Sequence, residues 1–132
     1  MSPVLADTHA ALWYLFNPAR LSPASDNAVR GAEHAGGIFV STVSIVEIVY
    51  LVDKTKLPPI TLTDFLDVLK DPTRPISALA LTLIIAEQAS QVPRALVPDF
   101  PDRIIAATAF AHQLPLVTCD AKLRAAPIPT IW

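Results

Sequence analysis

A chain of 132 residues with 52% apolar and 17% charged residues is one domain's worth of sequence, and that balance excludes a disordered tail or linker. The single cysteine, Cys119, excludes a disulfide scaffold and an all-cysteine zinc site. At face value the net charge of −2 counts against a nucleic-acid binder.

Taken in order, Pro3-Val4-Leu5-Ala6 reads as a buried strand that Asp7-Thr8 stops and turns into a helix ending near Asn17-Pro18. A second helix is expected from Ser25 to His34, closing at Gly36-Gly37. Ile38-Phe39-Val40 reads as a strand, and the hydroxyl cluster Ser41-Thr42-Val43-Ser44 suits the cap of a helix running to about Asp53. Thr61 to Lys70 spaces Leu62, Phe65, Leu66 and Leu69 as an amphipathic helix does. Pro75 to Ala80 fits a strand and Leu81 to Gln91 a helix. Pro101 suits a first helical position, and the helix it opens runs to His112. Strands at Leu114–Thr118 and Ile128–Trp132, with a short helix between them, complete the chain. Strands alternating with helices predict a single α/β domain over residues 1–132, its sheet mostly parallel with helices on both faces. No apolar run reaches the roughly 18 residues of a membrane span. The start of the chain has neither a basic flank nor an uninterrupted apolar stretch, so a cytoplasmic protein is expected.

In such a sheet, ligands bind beyond the carboxyl ends of the strands. Asp7 and Asp120 each follow an expected strand, although an aspartate there is often only a cap or turn residue. Glu47 lies in Ile45-Val46-Glu47-Ile48-Val49-Tyr50-Leu51-Val52, a helix apolar on nearly every side and so expected to be buried. A carboxylate buried there costs several kcal/mol unless it is paired or holds a metal. The plainer reading is a capping box, because Ser44-Ile45-Val46-Glu47 matches S-x-x-E. Asp102 falls in the first turn of its helix, where the helix dipole welcomes an acid, and Asp99 stands three residues earlier. Taken together, these acids come from different parts of the chain, and only Asp102 has a cationic neighbour, Arg103. Convergent carboxylates without cations call for a hard divalent ion, Mg²⁺ or Mn²⁺. Thr8 and Thr118, close to these acids in sequence, are candidates to orient a carboxylate. His9, His34, His112 and Cys119 form no zinc signature, and Cys119 reads as a small buried filler. With glycine only at 31, 36 and 37, a glycine-rich phosphate loop is excluded.

With these residues in place, the chain resembles the PIN-domain ribonucleases of the VapC toxin type. The likeness rests on four blocks in order: Leu5–Trp13, Ser41–Ile48, Asp99–Ala109 and Leu114–Asp120. The closing Ile128–Trp132 is similar to the family's last strand. It implies a three-layer α/β/α sandwich and RNA cleavage dependent on Mg²⁺ or Mn²⁺. It also implies a small VapB-type antitoxin as partner, a homodimer, and a metal site of Asp7, Glu47, Asp102 and Asp120 with Asp99 close by. Lys54, Lys56 and Arg103 are candidate RNA phosphate contacts. One departure is Asp99-Phe100-Pro101-Asp102-Arg103, where the family often has proline before phenylalanine. Setting aside the four site acids leaves 8 of the 12 acids against 10 bases, so the rest of the surface is mildly basic and permits RNA. Two other readings stand beside this one. A non-catalytic PIN-like module would bind RNA or protein without cutting, but it should lack one of the acids. A phosphoryl-accepting receiver domain would need an acidic neighbour for Asp7 and a lysine at a later strand end.

Overall fold

The computed structural model describes residues 2–132. Its strands are β1 (Val4–Ala6), β2 (Ile38–Ser41), β3 (Ile76–Leu79), β4 (Leu116–Val117) and β5 (Thr130–Ile131). Its α-helices are α1 (Thr8–Phe16), α2 (Pro23–Ala32), α3 (Thr42–Asp53), α4 (Pro59–Lys70), α5 (Leu83–Gln88), α6 (Phe100–His112) and α7 (Ala121–Arg124). The five strands form one sheet in the order β3-β2-β1-β4-β5, and every pairing is parallel. This is the α/β/α sandwich expected from the sequence.

Successive residues of β1 point to opposite faces of the sheet. Val4 and Ala6 join Ile38, Val40, Ile48 and Phe65 in one apolar cluster, beneath α1 to α4. Leu5 joins Leu116, Ile85, Ile105 and Leu123 in the other, beneath α5 to α7. The centre strand is thus buried on both faces, which is why it reads as a continuous apolar run rather than an alternating one.

Element boundaries moved where local chemistry decided. The last helices and strands shrink around proline and hydroxyl caps. Thr82 accepts the Ile85 N–H, so α5 starts after it, and Ala89–Gln91 tightens into a 3₁₀ turn. Leu114 N–H returns to Ala109 O at the end of α6, which withdraws Leu114 from β4. Pro59 opens α4 two residues earlier than the apolar spacing predicts, its fixed φ suiting a first turn. Gly36 and Gly37 turn the chain into β2 with φ of 105° and 101°, and a side chain at Gly37 would meet Pro75 O at 3.2 Å.

The chain runs outward through β1, β2 and β3, then returns to build β4 and β5 on the other side of β1. The strand order therefore reverses between β1 and β4. A crevice opens at such a reversal, beyond the carboxyl ends of the strands.

Candidate metal centre at the strand reversal

Asp7 occupies that crevice. It is the N-cap of α1, with Oδ1 accepting the Ala10 N–H at 2.9 Å. Its other oxygen, Oδ2, accepts the hydroxyl of Thr118, which follows β4 directly. The Asp7 N–H bonds Val117 O at 3.1 Å, tying β1 to β4 at the level of the site. Only 6% of Asp7 is exposed, and burial pushes its carboxyl above the ordinary value against the pull of the Thr118 and Ala10 hydrogen bonds.

Glu47 arrives from α3. That helix is capped by Ser41, whose Oγ accepts the Val43 N–H, so Ser44 lies inside the helix and the expected capping box does not form. Instead Glu47 Oε1 stands 2.6 Å from the Thr8 hydroxyl, which is also 2.8 Å from Ser44 Oγ. With one proton to give, Thr8 donates to the carboxylate and accepts from Ser44. The expectation of a helix buried all round also fails. Val46, Val49 and Tyr50 are exposed, and Glu47 itself is half-buried.

Asp102 stands in the first turn of α6, half-buried. Its carboxyl is pushed up to about 7, first by burial and then by repulsion from Asp120, Asp99, Glu47 and Asp7. The other four acids singled out in the sequence thus lie within electrostatic reach of Asp102. Asp120 caps α7 through the Lys122 N–H at 2.9 Å, and its own N–H donates to Thr118 Oγ1 at 3.1 Å. Thr118 therefore links two of the acids, an arrangement its position between β4 and Asp120 only hinted at. Asp99 is the N-cap of α6 but makes no side-chain cap bond, leaving its carboxylate exposed.

Among the described residues no lysine or arginine forms an ion pair with this group, and His9 acts on Asp7 only through its charge. Among the described residues the ion pairs are Arg30 with Asp26 and with Glu33, far along the chain on α2. Arg103, expected to reach RNA, instead donates from Nη2 to Ala89 O at 2.8 Å and to Val92 O at 3.3 Å. It braces the turn after α5 against α6, and sequence alone does not reveal those carbonyls. Lys54 and Lys56 are exposed beyond the end of α3. Cys119 is exposed as well, not the buried filler expected, because it follows Thr118 out of the sheet.

Among the described residues no three Asp, Glu, His or Cys side chains are drawn together tightly enough to grip an ion as they stand. The carboxylates of Asp7, Glu47 and Asp120 rest instead on hydroxyls and backbone N–H groups. The donor chemistry nevertheless fits a hard cation: oxygen ligands, excess negative charge, and no lysine or arginine paired to it. Two clefts flank the acids. One of about 650 Å³ is walled by His9, Trp13, Phe16, Arg20, Leu57 and Thr61, with Cys119 at its side. The other, of about 380 Å³, includes Glu47, Tyr50, Lys54, Asp99 and Phe100, and Lys56 lines both.

A parallel α/β sandwich with carboxylates gathered at its strand reversal defines the class. The PIN domain family model matches residues 4–129, and the chain belongs to that family. Ribonuclease VapC22 of Mycobacterium tuberculosis is 33% identical over 136 aligned positions, covering 100% of both chains. In fold the chain is similar to VapBC2 from Rickettsia felis bound to a promoter DNA fragment, with a TM-score of 0.70 and 17% identity over 97% of this chain and 96% of that one. A toxin-antitoxin complex from Klebsiella pneumoniae gives 0.61 and 20%, covering 98% and 96%. The receiver-domain reading is set aside by the family match.

Proposed function

We propose that the chain is a metal-dependent endoribonuclease toxin held in check by a VapB-type antitoxin. The observation that carries this reading is the Asp102 carboxyl, raised to about 7 by burial and by acids from four other points of the chain. Acids brought from separate elements to the strand reversal, with one carboxyl strongly perturbed, mark a site suited to chemistry. The full-length likeness to a VapC ribonuclease supports RNA as the substrate.

Asp7, Glu47, Asp102 and Asp120 would hold Mg²⁺ or Mn²⁺, with Asp99 beside them. Such an ion neutralises a phosphodiester and supplies a nucleophilic water at neutral pH. The chain's own contribution is positioning. Thr118 fixes Asp7 and the start of α7, and Thr8 fixes Glu47. Water activated by such an ion needs no histidine as general base.

The partner reading has two parts. The antitoxin would cover the acid centre, its apolar side chains lying in the cleft between Trp13, Phe16 and Leu57. A second copy of this chain would cover Leu81, Leu83, Ile84 and Phe110, which are 44%, 76%, 65% and 55% exposed on the α5–α6 side. Among the described residues no helix is long and apolar enough to cross a membrane. We place the protein in the cytoplasm, where its RNA is.

The decisive experiment incubates purified protein with RNA in Mg²⁺, in Mn²⁺ and in EDTA, beside Asp7→Asn. Cleavage should require the metal and vanish in the variant. Cleavage that survives EDTA would reject metal catalysis, and RNA binding without cleavage in any metal would favour the non-catalytic module.

A further inference from the structure

Two aromatic rings stand open to water beside the acids. Tyr50 is 60% exposed in the third turn of α3, and Phe100, the first residue of α6, is 68% exposed. They come from separate elements yet line one cleft of about 380 Å³, within the roughly 300–1,000 Å³ of small-ligand sites. Among the described residues the ring pairs are His9–Trp13 and Trp13–Trp132, so neither Tyr50 nor Phe100 stacks on another ring. The same cleft is lined by Glu47 and Asp99 of the acid group and by Lys54 and Lys56, which follow the end of α3. Neither lysine belongs to an ion pair among the described residues.

An occupant that fits must be flat and apolar on its faces and carry an anion at its edge. It must also be joined to the group that reacts at the acids. A nucleobase with its own phosphate meets all three demands. We propose that Tyr50 and Phe100 form a base-accepting subsite of the RNA substrate, with Lys54 and Lys56 taking the adjoining phosphate. The proposal rests on the ribonuclease reading and deepens it. A base inside a duplex has both faces covered, so the subsite selects unpaired RNA. It favours purines, whose larger faces stack better, and it places the base next to the scissile phosphate. Stacking tolerates sequence while demanding a π-surface, and that demand separates it from ordinary apolar contact with a protein.

The test uses the Asp7→Asn protein in Mg²⁺ and two fluorescein-labelled probes of about ten nucleotides. One is oligoadenylate and the other is its abasic ribose-phosphate counterpart; binding is read by anisotropy. Oligoadenylate should bind at least about tenfold more tightly. The double variant Tyr50→Leu/Phe100→Leu keeps apolar bulk but loses the rings, and should lose about tenfold toward oligoadenylate with no change toward the abasic probe. Tyr50→Phe should bind as its parent does. Equal binding of the two probes, or a leucine variant that binds oligoadenylate normally, overturns the subsite. A fall in light-scattering mass for Tyr50→Ser would assign the rings to contact between copies and also overturn it. Wild-type protein that cuts RNA while the leucine variant binds undisturbed fails this subsite alone; protein that neither binds nor cuts RNA fails the ribonuclease reading with it.

Discussion

Asp7 and Glu47 are held by threonines rather than by cations, and that sets what their substitution does. Asp7→Asn keeps an Oδ1 for the Ala10 N–H and offers its amide N–H to Thr118 Oγ1, so the α1 cap survives while a buried charge disappears. RNA cleavage should be abolished, and the metal-free melting temperature should stay equal or rise; calorimetry in EDTA checks this. Thr8→Val removes the hydroxyl that sets Glu47 without changing shape. It should cost about 10–100-fold in activity or in Mn²⁺ affinity, as loss of a ligand's hydrogen-bond partner does, while Thr8→Ser restores most of it. Asp102 binds its proton more tightly folded, near 7, than its ordinary 3.8, so the folded state carries the extra proton between these values. Stability of the metal-free protein should therefore fall as pH rises from about 4 to 7. Thermal melts in EDTA should give a higher midpoint at pH 5 than at pH 7.5, and Asp102→Asn should flatten the difference. The acids were legible in the sequence because strand ends and helix starts are readable. Their partners were not: Ser41, Thr42 and Ser44 offer three plausible caps, and only packing selects Ser41 and leaves Glu47 free for Thr8.

At the scale of the element, α3 is the instructive failure. Its run of aliphatic residues reads as a fully buried helix, yet Val46, Val49 and Tyr50 face water. Hydropathy records that a surface wants covering, not whether the chain itself or something else covers it. Helix α6 shows a role that sequence does not reveal. Arg103 was a candidate phosphate contact, and in the fold its guanidinium serves the Ala89 and Val92 carbonyls. Arg103→Ala should therefore lower stability by about 1–3 kcal/mol. It should leave the salt dependence of RNA binding unchanged, a combination a true phosphate contact would not give. The same helix ends on Gln113 at φ 54°, a left-handed conformation that glycine adopts without strain. Gln113→Gly should raise stability by about 0.5–1 kcal/mol in urea unfolding.

For the molecule as a whole, the alternation of strands and helices was enough to predict a parallel sandwich. The strand order was not, because nothing local says that β4 returns to the side of β1 away from β2. That return makes the crevice, and it also explains why a net charge of −2 misleads: repelling acids lie together within it while the rest of the surface is mildly basic. A cation that binds only the folded state must then stabilise it, by about 2.7 kcal/mol at 100 times its Kd. Melting temperature should climb with Mn²⁺ for wild type and stay flat for Asp7→Asn. If the proposed second copy covers α5, Ile84→Glu, at a position 65% exposed, should lower the mass read by light scattering and leave the Mn²⁺ response intact.

Thr118 has a further consequence through its backbone. Its N–H is held by Ile131 O at 3.1 Å, so the hydroxyl that governs Asp7 is set in place by β5. During synthesis Asp7 leaves the ribosome early and the residues of β5 more than a hundred peptide bonds later. Until they follow, the growing chain carries its acids without the wall that aligns them. A product ended before Ile131 would carry the carboxylates without the backbone bond that sets Thr118 against Asp7.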